Sequence, residues 1–170
     1  MFIHITFGQD IEFEKLTNDE YEIINSLYGS NNKIKMFHTT NPDKAWLNYF
    51  QEDENSLIKK NELGLGTVIS YEELKTLFDK AFEDKISSER IFHLPIKLKA
   101  NKLNGAKLVK CLPCDDNYLQ TIIINKPIVV NSSLAILRKI GYNEDVIHIL
   151  EKKGDSWEII YNIWERVVLE

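Results

Sequence analysis

Apolar residues follow two periods along this chain. They recur at three- and four-residue steps through much of the first 90 residues, at every second position from about 90 to 130, and again at helical steps beyond 130. Phe2–Phe7 alternates without helix formers and reads as a first strand closed by Gly8. Thr17-Asn18-Asp19-Glu20 is a capping box: the Thr17 hydroxyl reaches the amide at the third helical position and Glu20 reaches back. Tyr21, Ile24, Leu27 and Tyr28 then share one face, predicting a helix over about 18–28. Ile34, Met36 and His38 alternate with Lys33, Lys35 and Phe37 as a second strand. Pro42 opens a helix carrying Ala45, Trp46, Tyr49 and Phe50. A second capping box, Ser70-Tyr71-Glu72-Glu73, leads into one helix through Leu74, Leu77, Phe78, Ala81 and Phe82.

Between Arg90 and Val130 the enriched residues are β-branched, and a mostly antiparallel sheet is expected there. Asn104-Gly105 suits a two-residue hairpin turn, which would set Leu98 opposite Cys111, Lys99 opposite Lys110 and Ala100 opposite Val109. Asn125-Lys126 suggests a second hairpin. Ser132 or Ser133 would cap a helix through Leu134, Ile136, Leu137 and Ile140, stopped by Gly141. Asn143 would cap another through Val146, Ile147 and Leu150, stopped by Gly154. Trp157, Ile160, Tyr161, Trp164, Val167 and Val168 fit a last helix, although the same segment also fits a strand. The expected fold is α+β in a single domain over residues 1–170, with N-terminal helices, a sheet at about 90–130 and C-terminal helices.

Composition narrows the function classes. With 44% apolar residues and a net charge of −5 over 170 residues, the chain can build a core and is not disordered. No apolar run reaches the roughly 18–20 residues of a membrane span, and the start lacks the features of a signal peptide, so a cytoplasmic protein is expected. The acidic balance argues against nucleic acid as the partner. That balance is uneven: residues 1–90 hold 17 acids and 10 bases, whereas residues 91–110 hold five lysines and no acid.

Candidate chemistry is sparse. Cys111-Leu-Pro-Cys114 has redox or half-zinc spacing, but Asp115-Asp116 opposes a thiolate and no second cysteine pair supplies a metal tetrahedron. No metal and no cofactor are expected. His4, His38, His93 and His148 share no ligand spacing, and Gly64-Leu-Gly66-Thr67 reads as a turn, lacking the lysine and third glycine of a phosphate loop. Glu52-Asp53-Glu54 ends a helix with charge the dipole disfavours, which suits three carboxylates facing a basic partner. Alternation across the expected hairpin sets Lys97, Lys99 and Lys110 on one outer face, either as edge protection or as a patch for an anion.

Thr17-Asn18-Asp19-Glu20, Asp43-Lys44-Ala45-Trp46, the Gly64-x-Gly66 turn and Ser70-Tyr71-Glu72-Glu73-Leu74 together resemble small bacterial immunity proteins of polymorphic toxin systems. The likeness spans the first half of the chain. In size, acidity and single-domain character the chain also looks like the immunity partners of contact-dependent inhibition toxins. The resemblance implies a non-enzymatic protein that neutralises a cognate, basic toxin domain, commonly a nuclease, by stoichiometric binding. It carries over no site residue. The alternative is a small enzyme or an anion- or nucleotide-binding domain whose site is assembled from distant residues.

Overall fold

The computed structural model describes residues 14–29, 33–51, 68–89, 95–110 and 121–167. Helix α1 spans Asn18–Tyr28, and both halves of its capping box form, with Thr17 N–H donating to Glu20 and Glu20 N–H donating to the Thr17 hydroxyl. The Ser70 box likewise starts α2, Tyr71–Thr76, where hydrogen bonds from Ser70 hold the Glu73 carboxyl below the usual carboxylate range. The expected single helix from Ser70 to Phe82 is broken. Asp79 accepts from the Phe82 N–H and restarts the chain as α3, Lys80–Glu89. The break lets Phe78 and Phe82 stack, ring centroids 4.3 Å apart, with Phe50 edge-on to both. The segment after Pro42 is a 3-10 helix, Ala45–Gln51, rather than an α-helix; Asp43 accepts from Ala45 N–H and from the Trp46 indole through its carbonyl.

Seven strands form one sheet among the described residues: β1 Lys35–Phe37, β2 Lys107–Val109, β3 Thr121–Ile124, β4 Ile128–Val129, β5 Leu134–Ile140, β6 Glu144–Lys153 and β7 Ser156–Val167. Their order is β2-β1-β3-β5-β6-β7, with β4 also on β5. β1 runs parallel to both β2 and β3, and the remaining pairs are antiparallel. The fold is α+β, but strand-rich, and the sheet extends far beyond 90–130. The region read as C-terminal helices is a three-stranded antiparallel meander.

Burial on both faces explains that misreading. α1 packs on one side of the sheet with Met36, Leu98, Ala135, Leu137 and Leu150, while the 3-10 helix, α2 and α3 cover the other with Leu134, Ile136, Ile147 and Ile149. Consecutive β5 residues therefore feed opposite cores, and the run Leu134–Leu137 loses the alternation that marks a half-exposed strand. Gly141 and Gly154, read as helix stops, lie in the β5–β6 and β6–β7 connections. Asn131 accepts from the Ser133 and Leu134 amides, so the Ser132–Ser133 region turns the β4–β5 hairpin instead of capping a helix.

Neither expected hairpin at Asn104 or Asn125 forms. β3 and β4 both pair antiparallel to β5, one after the other, so they are collinear and Asn125–Pro127 is an interruption between them. At Asn104 the loop is captured by α1: the Asn25 side chain donates to Lys102 O at 2.8 Å and accepts from Asn104 N at 2.8 Å. Residues Ala100–Lys102 make a 3-10 turn and Gly105 takes the positive φ of 103° that the sequence offered, but Lys99 and Lys110 are not ladder partners.

Candidate functional site

The two chain segments flanking that loop meet on one edge of β1. β2 pairs with residues 35–37 in parallel, and residues 96–98 then take over the same edge, antiparallel, through a Thr39↔Lys97 bridge. His38 is the handover point: its N–H donates to Val109 O at 3.0 Å and its carbonyl accepts from Leu98 N at 2.8 Å. Thr40 locks the far side, donating its N–H to Ile96 O and accepting from Ile96 N at its hydroxyl. Met36 is the register partner of Leu108 on the α1 side of the sheet, and His38 and Lys110 follow at the bends just past the ends of β1 and β2.

A cleft of about 870 Å³ opens there, at the carboxyl ends of β1 and β2. That position is where open sheets with parallel strands commonly hold ligands, and the volume falls within the roughly 300–1,000 Å³ of small-molecule sites. Leu98, Ala100 and Leu108 contribute apolar lining; His38, Asn101 and the lysines Lys15, Lys97, Lys99 and Lys110 contribute the polar part. α1 fixes the wall through Tyr21, whose hydroxyl accepts from Lys99 N at 2.9 Å, and through the Asn25 clamp.

The charge of this cleft is one-sided. Glu14 is the one carboxylate among the described lining residues, and it is engaged by the Lys126 ammonium. Lys126 lies 3.7 Å from Glu20 as well; burial opposes its charge, but the Glu14 hydrogen bond and the Glu20 charge outweigh burial and raise its pKa. Further along, burial lowers the Lys44 pKa despite Glu89 at 3.6 Å. Glu89 itself is penalised by burial, yet the Lys85 hydrogen bond and charge keep it below the ordinary carboxylate value. Among the described residues, four lysines and one glutamate, itself paired with Lys126, line the cleft.

Lys97, Lys99 and Lys110 are therefore brought around one cavity, by collinear packing on β1 rather than by the expected hairpin. Sequence reasoning missed Lys15 and His38 as companions. Lys15 lies two residues before the α1 cap and His38 just past β1, and only the return of α1 onto the 95–104 segment makes them neighbours of the lysines. His148, read as a helix residue, sits buried on β6 with Nδ1 2.7 Å from Asn162 Oδ1. Glu52, Asp53, Glu54, Cys111, Cys114, His4, His93, Gly64 and Gly66 lie outside the described residues. Among the described residues no group of three or more His, Cys, Asp or Glu side chains is placed to hold a metal ion, and no helix is long and apolar enough to cross a membrane.

No protein-family model matches the chain, and neither the curated proteins nor the solved structures give a significant match.

Proposed function

We propose that this protein is a binding module for an anionic ligand, held in the cleft between β1, β2 and the 95–101 segment. The observation that carries this reading is the convergence of Lys97, Lys99 and Lys110 with Lys15 around an apolar floor, while the cleft's carboxylate is neutralised from outside by Lys126. Clustered cations in a concave, partly apolar site raise the local concentration of anions and strengthen each charge-assisted hydrogen bond. The action is stoichiometric binding without turnover. Heteronuclear NMR titration with inorganic pyrophosphate should shift the amides of residues 97–101, 108–110 and 38 together, and the shifts should weaken with added salt. Uniform small shifts over the whole surface would overturn the reading.

Neutralisation of a basic toxin domain is the second reading, favoured by the acid excess of the first 90 residues. Glu72, Glu73, Asp79, Glu83 and Asp84 are all exposed on or beside α2 and α3, across the sheet from the lysine cleft, so the two readings use opposite faces. Glu52, Asp53 and Glu54 are the partner-binding acids that the sequence offers for this reading. Capture of a basic protein by the tagged chain from its own cells, lost with charge-neutral replacements at Glu52, Asp53 and Glu54 but retained with Lys97→Gln and Lys99→Gln, would favour this second reading. The opposite pattern would favour the cleft.

A further inference from the structure

We infer that the anion is amphipathic: a phosphate monoester whose organic part is aliphatic or aromatic, rather than a bare inorganic anion. This rests on the anion reading above and names its ligand class. The cleft is far larger than an isolated oxyanion needs, and the space between the lysines is lined by Leu98, Ala100 and Leu108. Leu98 belongs to the α1-side core and Leu108 packs against it, so this floor is the continuation of a rigid apolar cluster. Leu98 is already buried, so the apolar surface open to a ligand is that of Ala100 and Leu108; a bare phosphate would leave it wet, whereas an alkyl or aryl group laid on it is removed from water.

The head group follows from the cations and from His38. Lys97, Lys99 and Lys110 approach from both segments that meet on β1, which suits a dianion better than the single charge of a carboxylate. His38 lines the same cavity, and its Nδ1 is shielded from water with no hydrogen-bond partner. A phosphate in the cleft meets the accessible part of this half-buried imidazole, which can donate a hydrogen bond to it. The lysines hold the charge, His38 orients it, and the leucine floor selects the ester group.

Isothermal titration of the full chain with octyl phosphate, kept below its micelle concentration, tests this against inorganic phosphate, octanoate and octanol. Octyl phosphate should bind about tenfold or more tightly than inorganic phosphate, since each methylene buried multiplies affinity several-fold. It should also exceed octanoate, and Lys97→Gln with Lys99→Gln, or His38→Phe, should reduce its binding about tenfold. Inorganic phosphate binding as tightly as octyl phosphate would overturn this inference and leave the anion reading standing. Octanol binding as tightly as octyl phosphate, or no binding by any of the four probes, would overturn both. Octyl phosphate binding that neither set of substitutions alters would place it elsewhere and also overturn the assignment.

Discussion

His148 on β6 and Asn162 on β7 are ladder partners whose side chains meet inside the sheet, Nδ1 to Oδ1, at 2.7 Å. Burial dominates the histidine and lowers its pKa from 6.5 to about 4, with the Asn162 hydrogen bond working the other way. The folded state therefore holds neutral imidazole where the unfolded chain takes up a proton. Stability from this site is complete above the unfolded value near 6.5 and is lost as pH falls towards about 4. The full loss is about 3 kcal/mol by linkage. Urea titrations at several pH values between 4 and 7 should show this slope in the native protein and a flatter one in His148→Leu/Asn162→Leu. Parallel slopes would refute it.

Glu165 makes a second, more consequential pair. Asp145 is opposite Arg166 while Val146 is opposite Trp164, so Glu165 is the extra residue of a β-bulge. The bulge delivers it to Arg138 of β5, with oxygen–nitrogen distances of 2.5 and 3.3 Å, and Arg138 also reaches Asp43 at 3.3 Å. Both side chains of the Arg138–Glu165 pair are largely shielded from water. Glu165→Ala leaves a guanidinium shielded and half-partnered, a loss of about 3 kcal/mol. Arg138→Met/Glu165→Leu should recover most of it. Chemical denaturation of the three proteins checks both statements, and a Glu165→Ala cost below that of an ordinary surface change would show the pair to be solvated.

These two pairs mark the limit of what the amino-acid sequence reveals. Capping at Thr17 and Ser70 was legible because hydroxyl, amide and glutamate lie within four residues of one another, and the chemistry closes locally. Strand β1 was legible because Met36 alone is fully buried between half-exposed neighbours. β5 and β6 were not, since Ala135 and Ile136 point into different cores and their apolar run satisfies a helical template equally well. The cleft was half legible. The lysines of 97–110 stood out as an acid-free block, whereas the partner strand that gathers them is β1, more than 50 residues away, which local periodicity does not encode.

Gly154 gives a prediction about the turn that replaced an expected helix stop. Lys153 and Ser156 are partners, so Gly154-Asp155 is a two-residue hairpin loop. Gly154 has φ of +63° and no non-glycine residue has positive φ among those described, the pattern of a type II′ turn with glycine first. A Cβ added there meets nothing within 4 Å, so the cost of Gly154→Ala is conformational alone. It should be about 1–2 kcal/mol, seen as a lower midpoint with an unchanged denaturant slope. A neutral substitution would mean that the loop changes turn type freely.

Lys110 offers a test in which stability and binding move in opposite directions. It lines the same cleft as Lys97 and Lys99, while Glu14 is already occupied by Lys126. Lys110→Glu replaces one exposed lysine of the cleft lining by a carboxylate that the other lysines can pair with. Exposed pairs of this kind contribute about 0.2–1 kcal/mol, and more at low ionic strength. The melting temperature should therefore stay level or rise slightly, with the rise shrinking in high salt. The same change puts a fixed negative charge where the ligand's phosphate sits, and anion binding should fall by an order of magnitude or more, on the order of the penalty for facing like charges in a cleft. Lys75→Glu on α2 serves as the control, since that exposed lysine lies on the opposite side of the sheet and should leave anion binding unchanged. A Lys110→Glu protein that is destabilised yet still binds octyl phosphate would show that Lys110 supports the fold and takes no part in holding the anion.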